Sequence, residues 1–159
     1  MIIKNYRKNL LINFLIVLLI FLVDRTSKLY VIYLDKKNFN TDIFSSKFLN
    51  IQLIWNEGVA FGLLSFQQEN FYNILTIIIF IIILCILFLL NNADGIKKYA
   101  LLMIVGGALG NFCDRVVYYA VPDFIDFHVG NFHWFIFNVS DIFITLGVIL
   151  MIFLELFNK

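Results

Sequence analysis

"FYNILTIIIFIIILCILFLL", residues Phe71–Leu90, contains no charged side chain. A helix advances only ~1.5 Å per residue, so about 20 apolar residues cross the hydrocarbon core of a bilayer. This run therefore reads as a membrane span. It must be helical, because lipid offers no partner to an unpaired backbone N–H or C=O. Working outward, three more apolar segments appear at about 10–34, 99–117 and 142–157. The first is interrupted by the polar patch "DRTSK" (Asp24–Lys28). Composition agrees: of 159 residues, 62% are hydrophobic and 14% charged, where a soluble domain has roughly half and a quarter.

Four spans place both termini and the tight polar turn "NNADGIKK" (Asn91–Lys98) on one side. Segments 35–70 and 118–141 fall on the other. No repeat or low-complexity tract suggests a second unit, so one membrane domain over 1–159 is expected. The start, "MIIKNYRKNLLINFLIVLLIFLVD", has the basic lead and apolar core of a secretory signal. It lacks an A-x-A-type cleavage site and three spans follow, so it reads as a retained first helix. A net charge of +1 gives nucleic-acid binding no electrostatic support. Cys85 and Cys113 lie in apolar runs and read as small hydrophobes. Lys4, Arg7, Lys8, Lys97, Lys98 and Lys159 put half of the 12 basic residues on the terminal side. The positive-inside rule is thus tied, with the cluster before the first helix leaning to a cytoplasmic N-terminus.

The first outer segment contains "NIQLIWNEGVAFGLLSF" (Asn50–Phe66). "IQLIW" has the composition of a short strand, and Gly58 and Gly62 permit sharp turns. Ser65 is a candidate N-cap for an interfacial helix over "FQQENFYN" (66–73), whose aromatics suit headgroup level. The expected architecture is an all-α integral membrane protein of four transmembrane helices, with a small outer β-sheet and a short interfacial helix.

The acids divide unevenly. Of 11, only Asp94 and Glu155 lie on the terminal side. Asp35, Asp42, Glu57 and Glu69 read as solvated loop residues. Asp24, Asp114, Asp123, Asp126 and Asp141 instead sit at helix ends or among apolar neighbours, where ionisable groups are costly and point to function. Asp24 and Lys28 share a helix face at i,i+4, which suits either a neutralising ion pair or a polar pocket. In "GGALGNFCDR" (Gly106–Arg115) the small residues permit close helix packing. Asn111, Asp114 and Arg115 then share a face, either as a clamp on the following loop or as part of a site. Asn138 and Asp141 in "FNVSD" are i,i+3 at the start of the last helix, the pattern of a cap.

Two acids recur in "AVPDFIDFH" (Ala120–His128). Asp126 with His128 and His133 lacks tight ligand spacing such as two His at i,i+4, so no metal is expected. Ser140 has no His or Lys base beside it, and no G-x-S-x-G occurs. What remains is a carboxylate pair. Two acids held close share a proton: the ionised one draws a proton from attacking water while its partner donates to a carbonyl oxygen. Asp123 or Asp126 with Asp141 or Asp114 would meet that need, and spacing does not choose among them.

Taken together, "DRTSK", "NEGVAF", "GGALGNFCDR", "VPDFIDFH" and "FNVSD" resemble, in order, the motifs of bacterial lipoprotein signal peptidases (signal peptidase II). The resemblance implies an intramembrane aspartyl endopeptidase that cuts the signal peptide from a prolipoprotein before its diacylglyceryl-modified cysteine. It implies catalytic Asp123 and Asp141, with Asp24, Lys28, Asn56, Gly107, Asn111, Asp114, Arg115 and Asn138 shaping the site. It further implies a bacterial inner-membrane location, cytoplasmic termini, an extracytoplasmic sheet and site, no cofactor, and sensitivity to globomycin-type cyclic peptides. A monomer is expected, since the bundle encloses its own site. Pro122, Phe135, Ser140 and Ile142 depart from the family pattern without removing an inferred site residue. Two other functions remain to be separated from it. A proton- or cation-coupled transporter predicts midplane acids and internal repeats, and a membrane assembly protein using "GGALG" predicts tolerance of conservative Asp changes.

Overall fold

The computed structural model describes residues 2–37, 43–58 and 68–157, with backbone alone for 2–9 and 68–71. Its helices are α1 (Ile2–Lys37), α2 (Gln68–Asn91), α3 (Gly95–Tyr118) and α4 (Val139–Phe157). Within them Leu10–Lys37, Tyr72–Asn91, Gly95–Tyr118 and Val139–Phe157 are long and apolar enough to cross a membrane. These match the four expected spans one for one, and the differences lie at the ends. α1 continues to Lys36 and Lys37, whose positive charges suit the negative end of a helix dipole. α3 begins before residue 99, with Asp94 at its N-cap position in extended conformation (φ −125°, ψ 167°) and no side-chain capping bond.

α3 is the central helix, packing against α1, α2 and α4. Its small residues explain why. A Cβ on Gly106 would stand 2.9 Å from Ile20 of α1. One on Gly107 would stand 2.5 Å from the Ser140 carbonyl oxygen of α4. One on Gly110 would run into Asp24 and Ser140 together. Gly147 of α4 returns the contact, its Cβ position lying 2.7 Å from the Ala100 carbonyl oxygen. Two helices meet at backbone distance along this seam, as small residues allow in membranes. Ala100, Leu101, Leu102 and Val105 fill the buried side of α3, with Ile20 of α1 against Gly106. Ile74, Ile77, Ile78 and Ile81 of α2 face outward, the orientation expected of a helix solvated by lipid tails.

At one end lies an antiparallel sheet of β1 (Phe44–Ser45), β2 (Leu49–Asn56), β3 (Val121–Val129) and β4 (Phe132–Phe137), in that spatial order. The expected strand "IQLIW" lies inside β2. The second outer segment, to which the sequence assigned no element, forms the β3–β4 hairpin, which turns at Gly130 with φ +60°. Half the sheet therefore comes from a segment in which charged and aromatic residues interrupt simple alternation. The interfacial helix expected at 66–73 is, from Gln68 onward, the first turns of α2. Asp42, Gly62, Ser65 and the "VAF" of "NEGVAF" lie outside the described residues.

Candidate active site

The "DRTSK" patch turns inward as an electrostatic hub. Lys28 is fully buried, and its Nζ donates to Asp24 Oδ2 at 2.8 Å, Asn111 Oδ1 at 2.7 Å and Asp114 Oδ2 at 2.7 Å. An ammonium has three protons, so all are used. Arg25, not singled out in the sequence, donates to Asp114 Oδ1 at 2.5 Å and to the Gly110 carbonyl. Asp114 is thereby clamped by α1, not by neighbouring Arg115. Two buried acids face two cations, which satisfies the rule that buried charge is paired. Asp24 also accepts from the Ser140 backbone N–H at 2.8 Å, holding the N-terminus of α4 against α1.

From this hub Asn111 relays outward. Its Oδ1 accepts from Lys28, which orients its amide so that Nδ2 donates to Asp141 Oδ1 at 2.7 Å. Asp141 and Asn138 form a reciprocal cap: the Asn138 N–H donates to Asp141 Oδ2 at 3.0 Å, and the Asp141 N–H to Asn138 Oδ1 at 3.2 Å. The cap reading of "FNVSD" is thus correct, and it explains why α4 starts at Val139. Asn138 has a second task. Its Nδ2 donates to Asp123 Oδ1 at 2.6 Å, so one amide touches both aspartates. Asn56 of β2 completes the set, donating to Asp123 Oδ2 at 2.9 Å while its Oδ1 accepts the Gly58 N–H at 2.8 Å. Gly58 has φ +80°, a left-handed turn that glycine makes without strain.

Asp123 is 4% exposed. Burial pushes its carboxyl above the usual carboxylate range; the Asn56 and Asn138 hydrogen bonds pull it back, the negative charge of Asp141 adds to the rise, and Lys28 opposes it. Each oxygen of Asp123 and Asp141 has one donor among the described residues, whereas a carboxylate oxygen accepts about two. Both carboxyls therefore retain acceptor capacity for a water or a substrate group.

Asp126 does not join them. Residues three apart on a strand face opposite sides, so Asp123 turns toward α4 and Asp126 away. Asn50 and Asn56 of β2, however, share parity. A register shift between Ile51 and Ile54 inserts one extra residue, re-aiming one end of the strand. Asn50 and Gln52 thus donate to Asp126, each at 3.4 Å, while Asn56 reaches Asp123. Arg115 approaches the Asn56 turn from below: its Nη1 lies 3.0 Å from a Cβ position on Gly58, and its guanidinium sits 5.7 Å from the Tyr72 ring. Asp24, Lys28, Asn56, Gly107, Asn111, Asp114, Asp123, Asn138 and Asp141 are brought together, with Arg115 at the rim. The missed member is Arg25, which stood inside a quoted motif.

Two amide-held aspartates at the sheet end of four apolar helices form the kind of acid pair that general acid–base hydrolysis can use. The signal peptidase (SPase) II family model matches residues 16–157. The chain is 51% identical over 150 residues to the lipoprotein signal peptidase of Pelagibacter ubique, covering 94% of this chain and 90% of that protein. It is 36% identical over 152 residues to the lipoprotein signal peptidase of Francisella tularensis subsp. novicida, covering 92% of each. A solved bacterial membrane enzyme superposes with a TM-score of 0.71 at 32% identity, over 91% of this chain and 87% of that one. The chain belongs to the signal peptidase II family, and it is a protease. The transporter reading is not favoured.

Proposed function

We propose that this enzyme removes the signal peptide from diacylglyceryl-modified prolipoproteins, cutting before the lipidated cysteine, with Asp123 and Asp141 as its catalytic pair. The observation that carries this is Asn138, whose single side chain and backbone N–H hold both carboxyls. Two carboxyls so placed cannot both ionise cheaply and share a proton. The ionised member takes a proton from water as the water oxygen attacks the scissile carbonyl carbon. The protonated member donates to the carbonyl oxygen, stabilising the tetrahedral intermediate. On collapse the C–N bond breaks, and the proton gained from water passes to the leaving amine. Asn111, oriented by Lys28, and Asn56, oriented by the Gly58 turn, keep both carboxyls aimed.

The site lies at the sheet end of the bundle, which in this reading is extracytoplasmic, with both termini in the cytoplasm. In this reading the enzyme is a monomer whose bundle encloses its own site. A globomycin-type cyclic peptide would compete for the same site. The chemistry takes its protons from the carboxyl pair and assigns no step to a metal.

The test is cleavage of a lipid-modified prolipoprotein in detergent by wild type, Asp123→Asn and Asp141→Asn. Loss of roughly 10³-fold or more is expected for each, since general acid–base groups contribute on the order of 10²–10⁴. Substantial cleavage by either variant would remove that residue from the pair. Asp126→Asn should retain cleavage.

A further inference from the structure

The β3–β4 hairpin carries a second cluster that the proteolytic reading does not use. His128 and His133 are direct cross-strand partners, their rings stacked with centroids 5.0 Å apart and planes 22° from parallel. Asp126 lies two residues before His128, on the same face of β3. One ligand atom from each of the three lies within 4.8 Å of the other two. In sequence the trio had no recognisable ligand spacing. Strand pairing supplies the proximity instead.

Several observations point to a ligand here. Asp126 is fully buried, and His133 Nδ1 stands 2.8 Å from its Oδ2, with no Lys or Arg paired to it among the described residues. Asn50 and Gln52 donate to that same carboxylate oxygen from β2, as outer partners commonly orient a metal-bound carboxylate. His128 Nδ1 is buried and has no hydrogen-bond partner among the described residues. An unpartnered buried nitrogen is costly, and an imidazole held within reach of a second imidazole and a carboxylate has an alternative use. Two imidazoles with one carboxylate form a ligand set well matched to Zn²⁺. Ligands about 2.0–2.2 Å from the metal require the atoms to draw a little closer than they stand. His133 is half exposed and free to make that adjustment.

We propose that Asp126, His128 and His133 form a zinc site on the outer face of the sheet, stapling β3 to β4. Zn²⁺ would replace the proton between His133 and Asp126 and leave one position open to water. It would cross-link the strand that carries Asp123 on the opposite face to β4, without entering the cleavage step.

Tag-free, full-length protein in detergent, stripped of metal by a chelator, is titrated with Co²⁺ and then Zn²⁺. The expected result is one Co²⁺ per chain with visible d–d bands, their displacement by stoichiometric Zn²⁺, and a zinc-dependent rise in melting temperature. His133→Ala should abolish the bands and weaken Zn²⁺ by at least about 100-fold, since even outer partners contribute 10–100-fold. His128→Ala should do the same, but the half-exposed His133 decides the matter if that variant folds poorly. Gln52→Ala should keep the bands with weaker affinity. Absence of bands in wild type, or equal zinc affinity in His133→Ala, overturns the site and leaves only a hydrogen-bonded Asp–His pair. These readouts do not depend on proteolysis, so each proposal can fail alone.

Discussion

In the proposed reading, whether an aspartate is catalytic depends on which side of a strand it faces. Asp123 and Asp126 are chemically identical and three residues apart, yet only Asp123 meets Asn138 and Asn56. Burial raises the Asp123 carboxyl, so the folded protein holds that proton more tightly than an unfolded chain would. Its contribution to stability is therefore present below the ordinary carboxylate pKa and is lost as pH rises through the raised value. The two asparagine donors favour the ionised form. Asn56→Ala should push Asp123 higher still and move the kcat/KM profile toward alkaline pH, whichever member of the pair holds the shared proton. A pH–rate series reads this directly, and an unshifted or acid-shifted profile would contradict it. Ser140, one departure from the family pattern, has a fully buried Oγ with no partner among the described residues. Ser140→Ala should raise thermal stability by about 1 kcal/mol, the lower end of the cost of an unsatisfied buried hydroxyl. A falling melting temperature would show that the hydroxyl is satisfied.

Among the elements, α3 and α4 position the site by meeting at backbone distance. Gly107 has no room for a Cβ beside the Ser140 carbonyl, and Gly110 has none beside Asp24 and Ser140. Gly107→Ala would part the helices just where Asn111 of α3 reaches Asp141 of α4. Its expected cost is about 1–3 kcal/mol, as overpacking usually brings, with a larger fall in kcat than in substrate affinity. Thermal unfolding and steady-state cleavage, measured side by side, check both parts. The sheet is an equally specific device, since its register shift lets one strand serve Asp123 and Asp126 on opposite faces. Pro122 fits there because β3 pairs with β4 only from Ile125 onward. A residue without an N–H is tolerated where a strand has a neighbour on one side alone. Ile142 and Phe135 are exposed, so those departures lie outside the hydrogen-bond network around Asp123 and Asp141.

Across the whole molecule, Lys28 joins the helices into one electrostatic unit. It binds α1 to α3 through Asp114 and Asn111, and through Asn111 it reaches Asp141 on α4. Lys28→Met should destabilise by roughly 3–5 kcal/mol, because it strands buried Asp24 without its cation and leaves Asp114 with Arg25 alone. It should also lower activity by releasing Asn111. Denaturation in detergent at neutral pH gives the first number, and an unchanged midpoint would show that water already screens the pair.

By itself the sequence determined the four spans, their order, the crowding of acids at one end and the five motifs that mark the family. These are properties of composition and local spacing: apolar runs long enough for a bilayer, small residues one turn apart, caps at i,i+3. Only the tertiary structure decided which acids meet. Asp123 and Asp141 converge because a strand and a helix N-terminus are bridged by Asn138, and Asp126 is excluded by strand parity. Arg25 was hidden for the same reason, since its partner Asp114 lies 89 residues away. The β3–β4 hairpin and its histidine pair were equally illegible. Cross-strand neighbours are set by register, and register depends on bulges and partners that no local pattern in this chain encodes.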